Sequence, residues 1–191
     1  RLCFMIGDVS GKGVPASLFM ALTKTLSKSL ARRERLPLDQ LLQLVNDEIS
    51  RENSAEMFVT AIVGIIDARS GEVELCNAGH DAPILLRAGK SPQQLEGASG
   101  PPLCVDEMFP YAIQRLRLEH GDILLFITDG VSDAENHEQA RYGSARAMAC
   151  LDGATMVDAA GVCAKLLADV REFAAGAPPS DDLTIVAVRF V

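Results

Sequence analysis

The spacing of apolar side chains predicts two helices near the start of the chain. Between Val14 and Glu34, leucines recur at every fourth position, at Leu18, Leu22, Leu26 and Leu30. Basic side chains mark the opposite side of this stretch, at Lys24, Lys28, Arg32 and Arg35. This is the period of an amphipathic helix with the leucines on its apolar face. A second helix is predicted over residues 38–51. Because the link between the two is short, we expect them to pack as an antiparallel hairpin.

Short apolar runs bounded by turn residues predict strands in most of the remaining chain. The predicted strands cover residues 2–7, 57–67, 71–79, 82–87, 111–120, 122–130 and 183–191. Two further helices are predicted over residues 144–151 and 155–175. Ser70-Gly71 and residues 120–122 are typical tight-turn sequences, so the strands on either side of each turn are expected to be neighbours.

Strands that follow one another through tight turns favour antiparallel sheets, and helices that arrive in pairs favour layers packed on those sheets. The sequence therefore predicts an α+β fold with antiparallel sheets and helix pairs. Residues 88–109 contain several glycines and prolines and no clear periodic pattern. A loop of this length is interpreted either as a functional flap or as a disordered segment.

Composition narrows the functional classes. With 191 residues, 48% of them hydrophobic, the chain is long enough for one domain with a substantial core. A formal net charge of -8 disfavours a surface for nucleic acids or anionic membranes. The sequence contains no apolar run long enough to predict a membrane span. The five cysteines form no C-x-x-C pair, which indicates reduced core residues in a cytoplasmic protein.

The stretch GDVSGKG, residues 7–13, lies between the first predicted strand and the first helix. Its spacing is one residue too short for a Walker A loop, and Gly13 stands where that motif has a hydroxyl side chain. A nucleophile turn around Ser10 would require glycine at the position of Asp8. Two readings are left: an aspartate that acts at a strand end, or a plain turn with Asp8 near a helix N-terminus.

Acidic side chains also lie at the ends of two other apolar strands. Asp129 ends the run DILLFIT and is followed four residues later by Asp133, whereas Asp181 and Asp182 precede the last strand. Unpaired carboxylates at the edge of a core are costly, so Asp8, Asp129 and Asp181 together suggest a shared cation. Oxygen ligands favour a hard divalent ion such as Mg²⁺ or Mn²⁺, with Ca²⁺ as the alternative.

The order of several motifs resembles one protein family. GDVSGKG, MFVTAIVGIID, NAGHDAPILL, GPPL, ITDGVSDAEN and SDDLTIVAV occur in the order found in bacterial PP2C-like serine/threonine phosphatases of the SpoIIE/RsbU type. The resemblance covers nearly the whole chain and implies an α-β-β-α sandwich of two antiparallel sheets flanked by helix pairs. It also implies two metal ions, Mn²⁺ or Mg²⁺, and hydrolysis of phosphoserine or phosphothreonine on a partner protein.

Residue by residue, the resemblance assigns Asp8 as the bridging metal ligand and gives Val9 a backbone carbonyl ligand. Asp129 and Asp181 resemble the remaining metal carboxylates, and Asp133 matches a position linked to a weaker third ion. Asp182 stands where many relatives have Asn, so it is interpreted as a supporting residue.

Two departures from the family pattern affect the site. Ser10 occupies a position that is histidine in eukaryotic members, which leaves the leaving-group acid unassigned; His80 is the candidate, with a turn or core residue as the alternative. The family's upstream G-D-[FY]-x-D motif is not in the sequence, so we expect a single domain over residues 1–191 that lacks its N-terminal strand and binds metal weakly.

Two functions of different class remain open at this stage. In the first, the chain is the phosphatase output domain of a bacterial signalling protein, following a sensor or receiver domain. Its substrate would be a phosphorylated STAS-type anti-sigma-factor antagonist, and it could form a homodimer. In the second, it is a catalytically inactive phosphatase-like module that binds a partner. The basic side of the first helix is interpreted as a solvated face, with a docking surface as the alternative.

Overall fold

The structure is a computed structural model that describes residues 1–33, 36–51, 53–97, 99–153 and 158–191. The described residues form eight strands and five helices, in the order β1 (Leu2–Val9), α1 (Val14–Arg33), α2 (Leu38–Ser50), β2 (Val59–Ile66), β3 (Glu72–Ala78), β4 (Ile84–Leu86), β5 (Gln93–Gln94), β6 (Ile113–Arg117), β7 (Ile123–Ile127), α3 (Asp129–Ser132), α4 (Ser144–Leu151), α5 (Ala159–Ala174) and β8 (Ile185–Arg189).

The chain divides into two compact units. Unit 1 comprises Arg1–His80 and Gly97–Arg117, and unit 2 comprises Asp81–Glu96 and Leu118–Val191. Each unit contains one four-stranded sheet, with the strand order β1-β2-β3-β6 in unit 1 and β5-β4-β7-β8 in unit 2. All strand pairs are antiparallel, which confirms the predicted α+β class with two antiparallel sheets.

Unit 1 packs α1 and α2 with its sheet. The α2 sequence has apolar residues at helical spacing, and its fully buried side chains Leu38, Leu42 and Ile49 join the unit 1 core. The sheet contributes β-branched and small residues from β2, which suit a pleated surface that is buried. Contacts between α1 and α2 agree with the predicted helix pair.

Unit 2 is organised around β7, in which all five residues are buried. β7 has β4 on one side and β8 on the other, so its continuous apolar sequence matches a central strand. Helices α4 and α5 supply side chains such as Ala147, Leu151 and Leu166 to the same core. The observed α4 coincides with the predicted helix, and the described part of the last predicted helix begins one turn later, at Ala159.

The predicted pairing across residues 120–122 is wrong. β6 pairs with β3 in unit 1, whereas β7 pairs with β4 and β8 in unit 2. The turn is instead tied to the end of the chain, because the Gly121 N–H donates to the Phe190 carbonyl (2.8 Å) and the Phe190 N–H donates to the Asp122 carbonyl (2.9 Å). The short helix α3 and the two-residue strand β5 were not predicted from the sequence.

The buried face of α1 also differs from the prediction. Leu18 and Leu22 are exposed, at 65% and 49%, whereas Phe19 is buried at 7%. Polar residues Thr23 and Ser27 are buried with Phe19, because each hydroxyl donates to the carbonyl four residues earlier, at 2.9 Å and 2.7 Å. The helix therefore turns a mixed face inward and leaves two leucines in solvent. Arg35 of the predicted basic side lies outside the described residues.

The orientation of α1 predicts unequal effects for neighbouring substitutions. Phe19→Ala removes a buried ring and is expected to lower the free energy of unfolding by about 3–5 kcal/mol. Leu18→Ala acts on an exposed site and is expected to change it by less than about 0.5 kcal/mol. Urea unfolding followed by circular dichroism measures both, and the reverse order would show that the leucine face is the buried one.

Candidate active site

The first predicted site residue, Asp8, lies at the end of β1 in unit 1. It is half-buried and pairs across the sheet with Thr60 of β2. Its Oδ1 accepts a hydrogen bond from the Val9 N–H at 3.1 Å, which restricts the carboxylate to the end of the strand. The Val9 backbone continues the same strand and pairs with Val59.

The turn after Asp8 is fixed by two hydrogen bonds between Ser10 and Phe58. The Ser10 N–H donates to the Phe58 carbonyl and the Phe58 N–H donates to the Ser10 hydroxyl oxygen, both at 2.9 Å. Gly11 and Gly13 then adopt φ angles of 83° and 82°, which other residues rarely adopt. The glycines of this motif therefore serve the sharp passage from β1 into α1, and Ser10 has a structural role beside the acid.

His80 lies close to Asp8 through one intermediate side chain. His80 is 5% exposed, and its Nδ1 is 2.9 Å from the Thr60 hydroxyl oxygen, which in turn is 3.4 Å from the Asp8 carbonyl oxygen. Asn77 fixes the His80 backbone by accepting from its N–H (2.8 Å) and donating to its carbonyl (3.0 Å). This buried and anchored position agrees with the alternative that His80 is a core residue.

The acids of unit 2 are brought together by the pairing of β7 with β8. Ile127 pairs with Ile185 in antiparallel register, so the residues after β7 lie beside those before β8. Thr128 joins the two segments: its hydroxyl donates to the Asp182 carbonyl at 3.1 Å and accepts from the Thr184 N–H at 3.0 Å. Asp129 begins α3 directly after this junction.

Gly130 permits a close approach at the same place. A β-carbon at this position would overlap the carbonyl oxygen of Asp182. Asp181 is exposed, and its Oδ1 accepts from the Asp182 N–H at 2.8 Å. Within unit 2, the structure therefore places the segments carrying Asp129 and Asp181 in direct contact.

Asp133 follows α3 and pairs with a cation. Its Oδ1 is 3.2 Å from the Nη1 of Arg141, and its carbonyl accepts from the Ser180 hydroxyl at 2.9 Å. The Ser180 bond ties α3 to the loop before β8. Because both partners of the ion pair are exposed, the pair contributes little to stability and leaves the carboxylate accessible.

Asp81 was missed by the sequence analysis. Partial burial raises the pKa of this carboxyl above its usual value, and the negative charges of Asp129 and Asp133 raise it further. Asp81 therefore lies within electrostatic range of both predicted acids in unit 2. The same sequence pattern could have identified it, because Asp81 directly precedes the apolar run of β4 just as Asp181 precedes that of β8.

The donor chemistry of Asp8, Asp129 and Asp181 fits a hard divalent cation, because all three offer carboxylate oxygens at strand ends. In the described part of the chain, no group of three or more His, Cys, Asp or Glu side chains is arranged so that it could hold a metal ion. The assignment of these three residues to a metal centre therefore stays a prediction.

Comparison with known sequences identifies the family. The family model described as Stage II sporulation protein E (SpoIIE) matches residues 1–191. The chain belongs to the SpoIIE family. The family predicted from the motif order is thus confirmed over the whole sequence.

Two curated relatives are similar to this SpoIIE-family chain. Protein IcfG of a Synechocystis species is 28% identical, over 78% of this chain and 28% of that protein. Phosphoserine phosphatase RsbU of Bacillus subtilis is 27% identical, over 67% of this chain and 38% of that protein. The chain therefore spans about a third of the length of these relatives.

Solved structures show the fold. The SiaA-PP2C domain of Pseudomonas aeruginosa superposes with a TM-score of 0.84 at 20% identity, covering 99% of this chain and 75% of that one. The PP2C phosphatase domain of Bacillus subtilis SpoIIE, with a fragment of its regulatory domain, also gives 0.84 at 20% identity, covering 98% and 54%. The PP2C fold predicted for this chain is confirmed.

None of the helices in the described residues has the length and apolar character that a membrane span requires.

The close approach at Gly130 predicts a specific destabilisation. Gly130→Ala forces the β7–α3 turn away from the Asp182 backbone and is expected to lower the free energy of unfolding by about 1–3 kcal/mol. Gly97→Ala is the control, because a β-carbon there meets nothing within 4 Å. Thermal unfolding of both variants measures the difference; equal midpoints would contradict the tight contact.

The raised pKa of Asp81 predicts that replacing this carboxyl with a neutral group stabilises the folded protein, by an amount that depends on pH. In the folded protein the carboxyl holds its proton to a higher pH than in the unfolded chain, so it lowers stability progressively as the pH rises from the unfolded pKa to the folded pKa and fully above that. Asp81→Asn is expected to stabilise metal-free protein at pH 7. The gain should fade as the pH drops toward the unfolded value of about 3.9. Melting temperatures of both proteins across this pH range test the prediction. A stabilisation by Asp81→Asn that grows as the pH falls would contradict a raised pKa.

Proposed function

We propose that this domain is a metal-dependent protein phosphatase that hydrolyses phosphoserine or phosphothreonine on a regulatory partner protein. The observation that carries the proposal is the SpoIIE-family match over residues 1–191 in a chain that keeps Asp8, Asp129 and Asp181. The similarity to a relative named phosphoserine phosphatase supports the same reaction class.

In this proposal the carboxylates of Asp8, Asp129 and Asp181, with the Val9 carbonyl, hold two Mn²⁺ or Mg²⁺ ions, and Asp133 contributes to a weaker third. Such ions, when bound, supply an activated water and neutralise charge on the phosphoryl group. They would also allow an acidic protein to accept an anionic substrate.

The chain's own residues would orient the acids before any substrate binds. The Val9 N–H and the pairing with β2 hold Asp8 at the strand end. The Thr128 hydroxyl and the close contact at Gly130 hold the loop of Asp181 beside Asp129. Backbone contacts of this kind cost no reorganisation during a reaction, which is what preorganised charge stabilisation requires. His80, bonded to Thr60, is the candidate leaving-group acid of this proposal, with a core role as the alternative.

The partner is proposed to be a phosphorylated STAS-type anti-sigma-factor antagonist. The domain would be the output module of a larger cytoplasmic signalling protein with a sensor or receiver domain, working as a monomer or homodimer. The net charge of -8 supports a protein partner over nucleic acid.

Phosphate release from a phosphoserine-bearing STAS protein tests the function. The chain is assayed after chelation and again after addition of Mn²⁺ or Mg²⁺. Activity should return only with the ion, and Asp8→Asn and Asp129→Asn should each lower kcat by at least about a hundredfold.

Asp182→Asn is the matched control, because its neighbour Asp181 is the proposed ligand; this change should cost less than about tenfold. Full activity in Asp8→Asn would refute the metal assignment. Lack of turnover in every chain, together with tight binding of the unphosphorylated partner, would instead identify an inactive binding module.

A further inference from the structure

A single buried amide joins α2 to a distant part of unit 1. The Asn46 side chain lies on the buried face of α2 and is 0% exposed. Its Oδ1 accepts from the Cys104 N–H at 2.7 Å. Its Nδ2 donates to the carbonyls of Asp106 and Glu107, at 2.8 Å and 3.2 Å. All three partners are backbone groups of one loop, residues 101–109, which is called the 101–109 segment below.

The 101–109 segment is also attached to the sheet. Leu103 forms an isolated antiparallel bridge with Val59, with hydrogen bonds of 2.8 Å and 3.2 Å in the two directions. Pro102 packs so tightly on Gly79 that a β-carbon there would lie 2.7 Å from the proline ring. The Tyr111 hydroxyl donates to the Pro101 carbonyl at 3.1 Å. The segment is thus an ordered connection between α2 and the ends of β2 and β3.

The sheet end reached by this connection is the one that carries Asp8. Val59 pairs with Val9, and the next residue, Thr60, pairs with Asp8. Hydrogen bonds therefore link the Asn46 amide to Cys104, and the preceding residue, Leu103, to Val59. The chain neighbours of Val59 meet the end of β1, because Phe58 bonds to Ser10 and Thr60 pairs with Asp8. Any movement of the segment away from α2 changes the support of that strand end.

Packing alone does not require an amide at position 46. Its neighbours on the buried face of α2 are apolar, including Leu42, Val45 and Ile49. Burial of an amide is unfavourable unless its groups are bonded, and here three backbone groups depend on it. Aspartate could accept from Cys104 but cannot donate, so its oxygen would face two carbonyl oxygens.

We propose that Asn46 is a positioning residue that fixes the 101–109 segment on α2 and thereby holds the start of β2 and the paired end of β1, which carries Asp8. The effect on catalysis rests on the phosphatase function proposed above. The structural coupling between α2 and the strand end does not rest on that function, because it is a property of the folded chain.

Hydrogen exchange tests the coupling directly. Asn46→Asp and Asn46→Ala should speed exchange of the Leu103, Cys104 and Val59 amides by about tenfold or more, the expected effect of losing bonds to the segment. Leu42→Ala is the matched control, on the same helix face but without a bond to the segment. The variants are compared in urea concentrations that equalise their global stability, so that only local opening differs.

Equal acceleration of these amides in Leu42→Ala, or no acceleration in either Asn46 variant, would overturn the proposal. Acceleration of the Cys104 amide alone, with Leu103 and Val59 protected as in the parent chain, would do so too, because the segment would then not support the strand end.

Turnover provides the second arm. With a phosphoserine protein as substrate, Asn46→Asp should lower kcat by about tenfold with KM within about twofold, because the change disturbs orientation and not substrate contact. Leu42→Ala at matched folded fraction should keep kcat. Faster exchange with unchanged kcat would refute the positioning role. A parent chain without turnover would refute the phosphatase function, and exchange would then decide the coupling alone.

Discussion

Backbone geometry at strand ends is the constraint on which the candidate site depends. A carboxylate at the edge of an apolar core loses hydration, so its position has to be supported by neighbouring groups. At Asp8 and Asp181 the N–H of the following residue donates to the carboxylate. The β1–β2 pairing fixes the position of Val9, and the Thr128 hydroxyl ties the backbone of residue 182 to the end of β7. These backbone contacts therefore determine where the acidic side chains of each unit lie.

Small side chains and hydroxyl side chains allow the backbone segments that carry the acids to approach and bond to one another. Gly130 allows the backbone of residue 182 to approach the β7–α3 turn, and the Thr128 hydroxyl bonds to two backbone groups of the segment before β8. On the other unit, Thr60 lies between the Asp8 carbonyl and the His80 ring. Substitution of these residues would change where the acids lie without removing a charge, which separates positional effects from chemical ones.

Much of this arrangement could be predicted from the sequence, because it follows from local patterns. Apolar runs identified every strand of four or more residues, and acids at the ends of such runs selected Asp8, Asp129 and Asp181. Other features depend on tertiary contacts. The inward face of α1 contains Thr23 and Ser27, which tolerate burial only through bonds to their own helix. The turn at 120–122 has a hairpin-like sequence, yet its bonds to Phe190 direct the chain into another sheet. The helix α3 is too short to be determined by propensity.

The order of the chain through the two units has a consequence for dissection of the protein. Residues 81–96 supply β4 and β5 to unit 2, although the sequence on both sides of them belongs to unit 1. Neither unit can therefore be isolated by a single truncation. A fragment starting at residue 118 would lack β4 and leave one side of β7, an entirely apolar strand, without a neighbour. Such an unprotected edge is a template for aggregation, so a fragment of this kind is expected to associate rather than stay monomeric.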